Sequence, residues 1–178
     1  MNKKEHIVRT LKALLLATVA AGTFTAAASA VQDATDSTAE SILLSPTDKR
    51  YDLAAGATVS DSIKIVNDGR TAFNFVTYAR PYSVNSEDYT PDFASKAQNA
   101  DAYKWVQFDK PSYFVKPGEN VDVKFTLRVP ENATPGGHYG VLFAETQPTD
   151  PVQGTSVLRA KRVCAIVYVT VKGDDTFG

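Results

Sequence analysis

Between Asn120 and Pro130 apolar and polar side chains alternate without a break. Val121, Val123, Phe125, Leu127 and Val129 fall on one side, and Asp122, Lys124, Thr126 and Arg128 on the other. A period of two places the first set on one sheet face and the second on the opposite face, whereas a helix would scatter both around its circumference. The stretch is therefore predicted to be a half-buried strand, ended by Pro130 because proline has no N–H for the ladder. Glu131–His138, with Pro135-Gly136-Gly137, is turn-forming and suited to carrying the chain from one sheet to another. Tyr139–Glu145 follows as a second strand, apolar on both faces apart from its end.

The same logic orders the rest of the chain. Ser41–Pro46 reads as a short edge strand broken by proline, and Tyr51–Leu53 as a strand piece before the Ala55-Gly56 turn. Thr58–Asn67 is a strand with Val59, Ile63 and Ile65 on one face, which Asp61 interrupts. Asn67-Asp68-Gly69-Arg70 has the chemistry of a hairpin turn, since Asp-Gly readily supplies positive φ. Thr71–Arg80 then returns with Phe73, Phe75, Thr77 and Ala79 inward. Trp105–Phe108, Tyr113–Val115 (closed by Lys116-Pro117-Gly118) and Val157–Val171 complete the set, the last being one long strand or two strands joined by a bend near Arg159–Arg162, with Gln147–Thr155 as a polar loop before it.

One segment breaks the pattern. Pro81–Lys104 has no sustained period and holds two prolines, three tyrosines, Phe93 and several Asp, Asn and Ser residues. It is predicted to be an ordered loop insertion over 81–104 with a short helical turn around Phe93–Gln98. About seven to nine short strands with regular turns, and no amphipathic helix of about ten residues, define an all-β, immunoglobulin-like antiparallel β-sandwich. Tyr139, directly after the corner, matches the tyrosine corner of such sandwiches, whose hydroxyl bonds back to the preceding turn.

The first thirty residues do not belong to this fold. Lys3, Lys4, Arg9 and Lys12 precede a small-residue apolar core at Leu14–Ala28, and Ala28-Ser29-Ala30 is an A-x-A processing site. The apolar core, about 15 residues, is short of the ~20 that span a bilayer, so 1–30 reads as a cleavable signal peptide. Val31–Glu40, polar and aperiodic, is a flexible leader (31–40); the sandwich occupies 41–172, and 173–178 is a tail. The lack of a cysteine at the processing site argues against lipoprotein anchoring by that route. The mature chain is expected to be exported, extracellular or at the cell surface, with no membrane span.

Charge narrows the partners. Removing four cations and one acid with the first thirty residues leaves 15 Lys+Arg against 19 Asp+Glu, a net charge of −4. That balance argues against nucleic acid and against a polybasic membrane patch. Cys164 is the only cysteine, so no disulfide forms within the chain and the core alone must stabilise an exported domain. It reads as a small buried side chain rather than a reactive thiol.

The ordered set Asn67-Asp68-Gly69, Trp105–Phe108, Tyr113–Gly118 and Val129-Pro130 through Pro135-Gly136-Gly137-His138-Tyr139-Gly140 resembles the immunoglobulin-like N-terminal domain of WxL-interacting bacterial surface proteins, also called the WxL protein peptidoglycan-binding domain. The likeness spans roughly Ile42 to Lys172. It implies a non-enzymatic extracytoplasmic module that contacts cell wall or a partner surface protein. Members usually carry a second β domain and a C-terminal membrane helix, and neither lies within these 178 residues. Secretion, retention by a partner and an incomplete reading frame are the alternatives. The matching positions are framework residues, with Trp105, Pro130, Gly136 and Tyr139 in structural roles, so no binding residue carries over. A weaker likeness, to the first domain of pilus-assembly chaperones, comes from the same sandwich pattern; no pair of basic residues stands out as a subunit anchor.

Catalysis finds little support. His138 is the single histidine of the mature chain, it reads as a surface side chain in a turn, and no G-x-S-x-G elbow is present. Glu87, Asp88, Asp92 and Asp101 could supply the paired carboxylates of a glycosidase or Ca²⁺ ligands, but acidic loop residues are usually solvated and the Ca²⁺-loop spacing is absent. No metal or cofactor is expected, and Asn132-Ala133-Thr134 is a chance sequon. The aromatic insertion is the stronger candidate. Tyr82, Tyr89, Phe93 and Tyr103 offer apolar area with polar tips, suited to cell-wall glycan or a protein patch, although the same rings could instead pin the loop to a sheet. The reading is a non-catalytic binding or structural module of the cell surface. Its alternatives are a pilus-chaperone-like module binding partners by strand addition and a wall-active hydrolase using Glu87 and Asp92. Mass spectrometry of exported protein should find Val31 at the N-terminus; an intact Met1 would refute the signal-peptide assignment.

Overall fold

A computed structural model describes residues 40–84, 88–148 and 158–173. The predicted signal peptide (1–30), all of the leader but Glu40, Glu87, most of the Gln147–Thr155 loop and the tail beyond Gly173 lie outside the described residues. In chain order the strands are β1 (Ile42–Ser45), β2 (Asp48–Leu53), β3 (Thr58–Asn67), β4 (Phe73–Pro81), β5 (Ser83–Val84), β6 (Pro91–Asp92), β7 (Val106–Phe108), β8 (Ser112–Val115), β9 (Asn120–Arg128), β10 (Gly136–Thr146) and β11 (Arg162–Val171). One 3-10 turn, Ala102–Trp105, precedes β7.

Two sheets face each other. One has the order β1-β3-β9-β7, the other β2-β11-β10-β4-β8, and β5 with β6 forms a small separate ladder. The alternation in β9 decides its orientation as predicted: Val123, Phe125 and Leu127 are buried while Asp122, Lys124 and Arg128 are exposed. Ile63 and Ile65 from β3, Phe73 and Phe75 from β4, and Val167 and Val169 from β11 complete a dry interior. Burying each such side chain contributes about 1.5–3 kcal/mol.

Three local expectations are corrected. Asn67–Arg70 is not a hairpin turn, because β3 and β4 belong to different sheets. The turn is a corner held by the buried Asn67 side chain: its Nδ2 donates to the carbonyls of Thr71 (2.9 Å) and Val115 (3.3 Å), and its Oδ1 accepts from the Gly69 N–H (3.0 Å). The sandwich is not wholly antiparallel, since β2 pairs with β11 in parallel from Asp48↔Ile166 to Leu53↔Val171. The chain leaves β3 at Pro46, crosses the gap and joins the opposite sheet. Finally, the helical turn of the insertion lies at Ala102–Trp105 rather than at Phe93–Gln98, and the last strand starts at Arg162.

The strand switch explains Asp61, the charge that interrupts an apolar face. It faces β2, where Lys49 Nζ lies 2.9 Å from both carboxylate oxygens, the Tyr51 hydroxyl donates to Oδ2 at 2.7 Å and the Ser62 N–H to Oδ1 at 2.7 Å. Partial burial alone would raise the Asp61 pKa, but hydrogen bonds from Tyr51, Lys49 and Ser62 outweigh it and hold the carboxyl below its ordinary value. Burial and the same carboxylate push the Tyr51 hydroxyl up. Asp61→Ala should therefore cost about 2–3 kcal/mol at neutral pH, because it strands a half-buried ammonium and a hydroxyl. The advantage of the wild type is complete above the unfolded carboxylate pKa of about 4 and fades as pH falls through the lower folded value. Urea unfolding of both proteins at neutral and acid pH checks this; equal midpoints at neutral pH would show that the cluster adds nothing.

Candidate functional site

The insertion lies on the outside of the five-stranded sheet. Along β10, His138, Gly140, Leu142, Ala144 and Thr146 point inward, so Val141 and Phe143 point out, yet these two are only 0% and 2% exposed. Phe93 stands edge-on to Phe143 at 5.1 Å between ring centres, and Tyr82 lies 6.3 Å from Phe93. Burial, then the neighbouring Tyr168, raises the Tyr82 hydroxyl pKa. Two of the four predicted ligand residues, Tyr82 and Phe93, thus come together as anchors that dock the loop on β10. Tyr103 is half-buried within the 3-10 turn, and Tyr89 is 81% exposed with a positive φ of 54°. Cys164 is half-buried on the same outer face, where burial pushes its thiol pKa up, away from a reactive thiolate.

The end of the insertion enters the sandwich. Ala102 is fully buried and Trp105 is in the core. Gly140 makes room for this turn: a Cβ there would sit 2.7 Å from the Tyr103 backbone nitrogen. His138 is not a surface side chain, as the turn chemistry suggested, but 4% exposed. Its Nε2–H donates to the Thr134 carbonyl at 2.8 Å, its Nδ1 lies 2.7 Å from Asp101 Oδ1, and its ring is 4.7 Å from that of Trp105. One imidazole therefore ties the insertion to the β9–β10 corner. The bond back to the turn expected of Tyr139 is made by His138; Tyr139 points to the other face, edge-on to Tyr168 at 5.8 Å. Pro130 closes β9 through its carbonyl, which accepts from Gly56 and Ala133, and Gly136 opens β10 at φ 120°.

The carboxylates are dispersed. Asp101 is held by His138, Asp92 accepts from the Ala94 N–H at 2.8 Å, Asp88 is exposed, and Glu87 lies outside the described residues. Among the described residues no three His, Cys, Asp or Glu side chains gather as metal ligands would.

The sheet edges differ in protection. In the five-stranded sheet, β2 carries Asp48, Lys49, Arg50 and Asp52, and β8 is bracketed by Pro111 and Pro117, devices that discourage edge pairing. In the first half of β11 only Arg162, at its start, carries a charge, and no proline lies within it. Arg162–Ala165 pairs with Glu145–Leu142 of β10 on one side, while β2 begins only at Asp48, opposite Ile166. The Ile166 N–H donates toward β2, to the Thr47 carbonyl at 2.9 Å. By strand alternation the N–H groups of Cys164 and Arg162 point the same way, and no described strand pairs with them there. β1 runs nearby but pairs with β3 in the other sheet. The signal was available in the sequence only as the Pro46 break, since which half of β11 loses its neighbour depends on register.

A two-sheet sandwich of this kind, whose first strand pairs in one sheet and whose second joins the other in parallel with the last, is an immunoglobulin-like fold. The chain is similar to the PapD-like domain 7 of human CEP192 (TM-score 0.53, 12% identity, covering 79% of this chain and 92% of that one). It is also similar to the E. coli chaperone DraB (TM-score 0.50, 15% identity, 75% of this chain) and the class 5 fimbriae chaperone CfaA (0.50, 12%, 74%). It spans 58% and 57% of those two chaperone chains. At such identities the likeness is one of fold. No protein-family model matches the chain, and no curated protein matches it. No helix among the described residues is long and apolar enough to cross a membrane.

His138→Ala should lower stability by about 2–3 kcal/mol, since it removes two buried hydrogen bonds and leaves a cavity beside Trp105. Gly140→Ala should cost a similar amount, about 1–3 kcal/mol, by pushing the 3-10 turn outward. Chemical denaturation measures both, and quenching of Trp105 fluorescence by iodide reports the turn; an unmoved Trp105 signal in both variants would refute the clamp.

Proposed function

We propose that this chain is a non-catalytic, extracytoplasmic module that binds a partner surface protein by strand addition. The observation that carries the reading is the half of β11, Arg162–Ala165, that pairs with β10 on one side and has no strand among the described residues on the other, in a sheet whose other edges are charged or bracketed by proline. The similarity in fold to two proteins named as fimbrial or bacterial chaperones supports it, as does the signal-like N-terminus. The resemblance to WxL-interacting surface proteins supports a partner at the bacterial cell surface. Main-chain hydrogen bonds would supply the affinity and the side chains flanking the edge the choice of partner.

A second reading, capture of cell-wall glycan by the insertion, rests on Tyr89, which stands 81% exposed while Tyr82 and Phe93 anchor the loop beneath it. The two readings separate cleanly. Cys164→Pro deletes one outward N–H without touching the β10 ladder, and an edge strand tolerates proline there. Cross-linking of the purified mature chain to a cell envelope, followed by mass spectrometry, should identify a surface protein. Cys164→Pro should weaken its binding by at least about tenfold, the worth of one main-chain hydrogen bond and its steric block, while Tyr89→Ala leaves it unchanged. Amide exchange at Arg162 and Cys164 should slow when the partner binds, a readout that does not depend on the variant folding. Retention on purified peptidoglycan that survives Cys164→Pro and is lost in Tyr89→Ala would overturn strand addition in favour of the glycan reading.

A further inference from the structure

Of the five exposed large apolar side chains among the described residues, two, Val84 and Tyr89, stand on one small hairpin. Its strands β5 and β6 pair Ser83 with Asp92 and Val84 with Pro91. Ser83 and Asp92 are half-buried, and the Ser83 hydroxyl donates to Ser95 Oγ at 2.8 Å, while Val84 and Pro91 are exposed. One side of the hairpin is thus tied to the insertion, and the other, apolar side is turned away from it. Next to Pro91 and Thr90, Tyr89 is 81% exposed, and its side chain has no ring contact or hydrogen bond among the described residues. Its φ of 54° is left-handed, a conformation that glycine or asparagine adopts at less cost. No contact within the fold offsets that strain. With Phe93 seated on Phe143 beneath it, the hairpin holds a phenol out into solvent. Asp88, the preceding residue, is exposed and forms no ion pair with a described residue.

The other outer face of the sandwich carries a complementary shape. Over β3 and β9 of the four-stranded sheet lies a hollow of about 320 Å³, lined by Ser60, Ser62, Thr126, Lys124 and Asp109 among others. Its volume is at the small end of the range for ligand sites. Lys124 and Asp109 are exposed, and neither forms an ion pair with a described residue. A tyrosine suits such a half-polar site, because its body is apolar and its tip is polar. Knob and hollow lie on opposite outer faces, so a chain cannot fill its own hollow. We propose that the occupant is a second copy of this chain. Tyr89 of one copy enters the Lys124 hollow of the next, its hydroxyl donating to Asp109 while Asp88 pairs with Lys124. Such a head-to-tail contact leaves a free knob at one end and a free hollow at the other, and it builds open chains rather than a closed dimer. It does not use the β11 edge and is independent of strand addition. One ring and one exposed ion pair make a weak contact, with a midpoint on the order of 1 mM in solution. Holding many copies at a surface raises their effective concentration toward that value.

The test uses the full mature chain alone, with small-angle scattering and NMR line widths recorded from about 20 μM to about 2 mM at low salt, a range that brackets the expected midpoint. Apparent mass should rise with concentration in the wild type. Tyr89→Ala should raise the midpoint at least about fivefold. Asp88→Lys alone and Lys124→Glu alone should each do the same by setting like charges against each other. An equimolar mixture of those two variants should regain the wild-type behaviour, since the knob of each then fits the hollow of the other. Tyr89→Gly, which relieves the left-handed strain, should lose association yet unfold at the same or a higher urea concentration, which separates recognition from a role in folding. A constant apparent mass, or one that rises equally in Tyr89→Ala, would overturn the proposal. Loss in Tyr89→Ala with no recovery in the mixture would overturn the Lys124 hollow as the acceptor. Retention of the wild type on purified peptidoglycan that is lost in Tyr89→Ala, with no change of apparent mass, would assign the ring to glycan instead. Cys164→Pro should associate like the wild type, so strand addition is judged separately.

Discussion

The five-stranded sheet must be covered on both faces, and that requirement organises the rest of the molecule. β10 sends Leu142 and Ala144 into the sandwich and Val141 and Phe143 outward, and all four are buried. A strand with no polar face cannot border water. One side is met by the opposing sheet, the other by residues 81–104, which lay Phe93 on Phe143. The insertion is thus part of the fold before it is anything else. Of its aromatic rings, which in the sequence suggest recognition, Tyr82, Phe93 and Tyr103 are half-buried and Tyr89 is exposed.

The route of the insertion has a second anchor where it re-enters the core. His138 joins Asp101, at the head of the 3-10 turn, to the Thr134 carbonyl in the corner between the sheets, with Trp105 against the ring. A polar group that deeply buried is acceptable only when its hydrogen bonds are made, and both ring nitrogens have partners. Asn67 at the β3–β4 corner and the half-buried Asp61 cluster at the strand switch stand, like His138, where the chain passes from one sheet to the other, whereas buried Thr77 and Thr146 lie within strands. Ladder hydrogen bonds run out at such crossings, and side chains take their place.

The crossing of the first strand has a functional consequence as well. Because β1 pairs in one sheet and β2 in the other, β11 has a neighbour among the described residues along only part of its length on the side away from β10. A length of ladder without a partner among the described residues, next to half-buried apolar side chains, favours strand pairing. Guarding of the other edges of that sheet, by charge in β2 and by proline around β8, concentrates that property in one place.

By itself the sequence determined where strands form and which way most of them face. The β9 alternation, the bounds of β3, the inward set Phe73, Phe75 and Thr77, and the turns at Gly56 and Gly118 were all legible, because each rests on residues a few positions apart and on a face that borders water. Partnership was not legible. Asn67-Asp68-Gly69 has hairpin chemistry whether its strands pair or part, and His138 in a Pro-Gly-Gly turn gives no local sign of the Asp101 that meets it 37 residues away. The parallel β2–β11 pair joins segments more than a hundred positions apart, and the cover over Phe143 comes from a stretch with no period at all. Those choices are made by registers and by the need to bury every apolar face at once, and only the assembled tertiary structure expresses them.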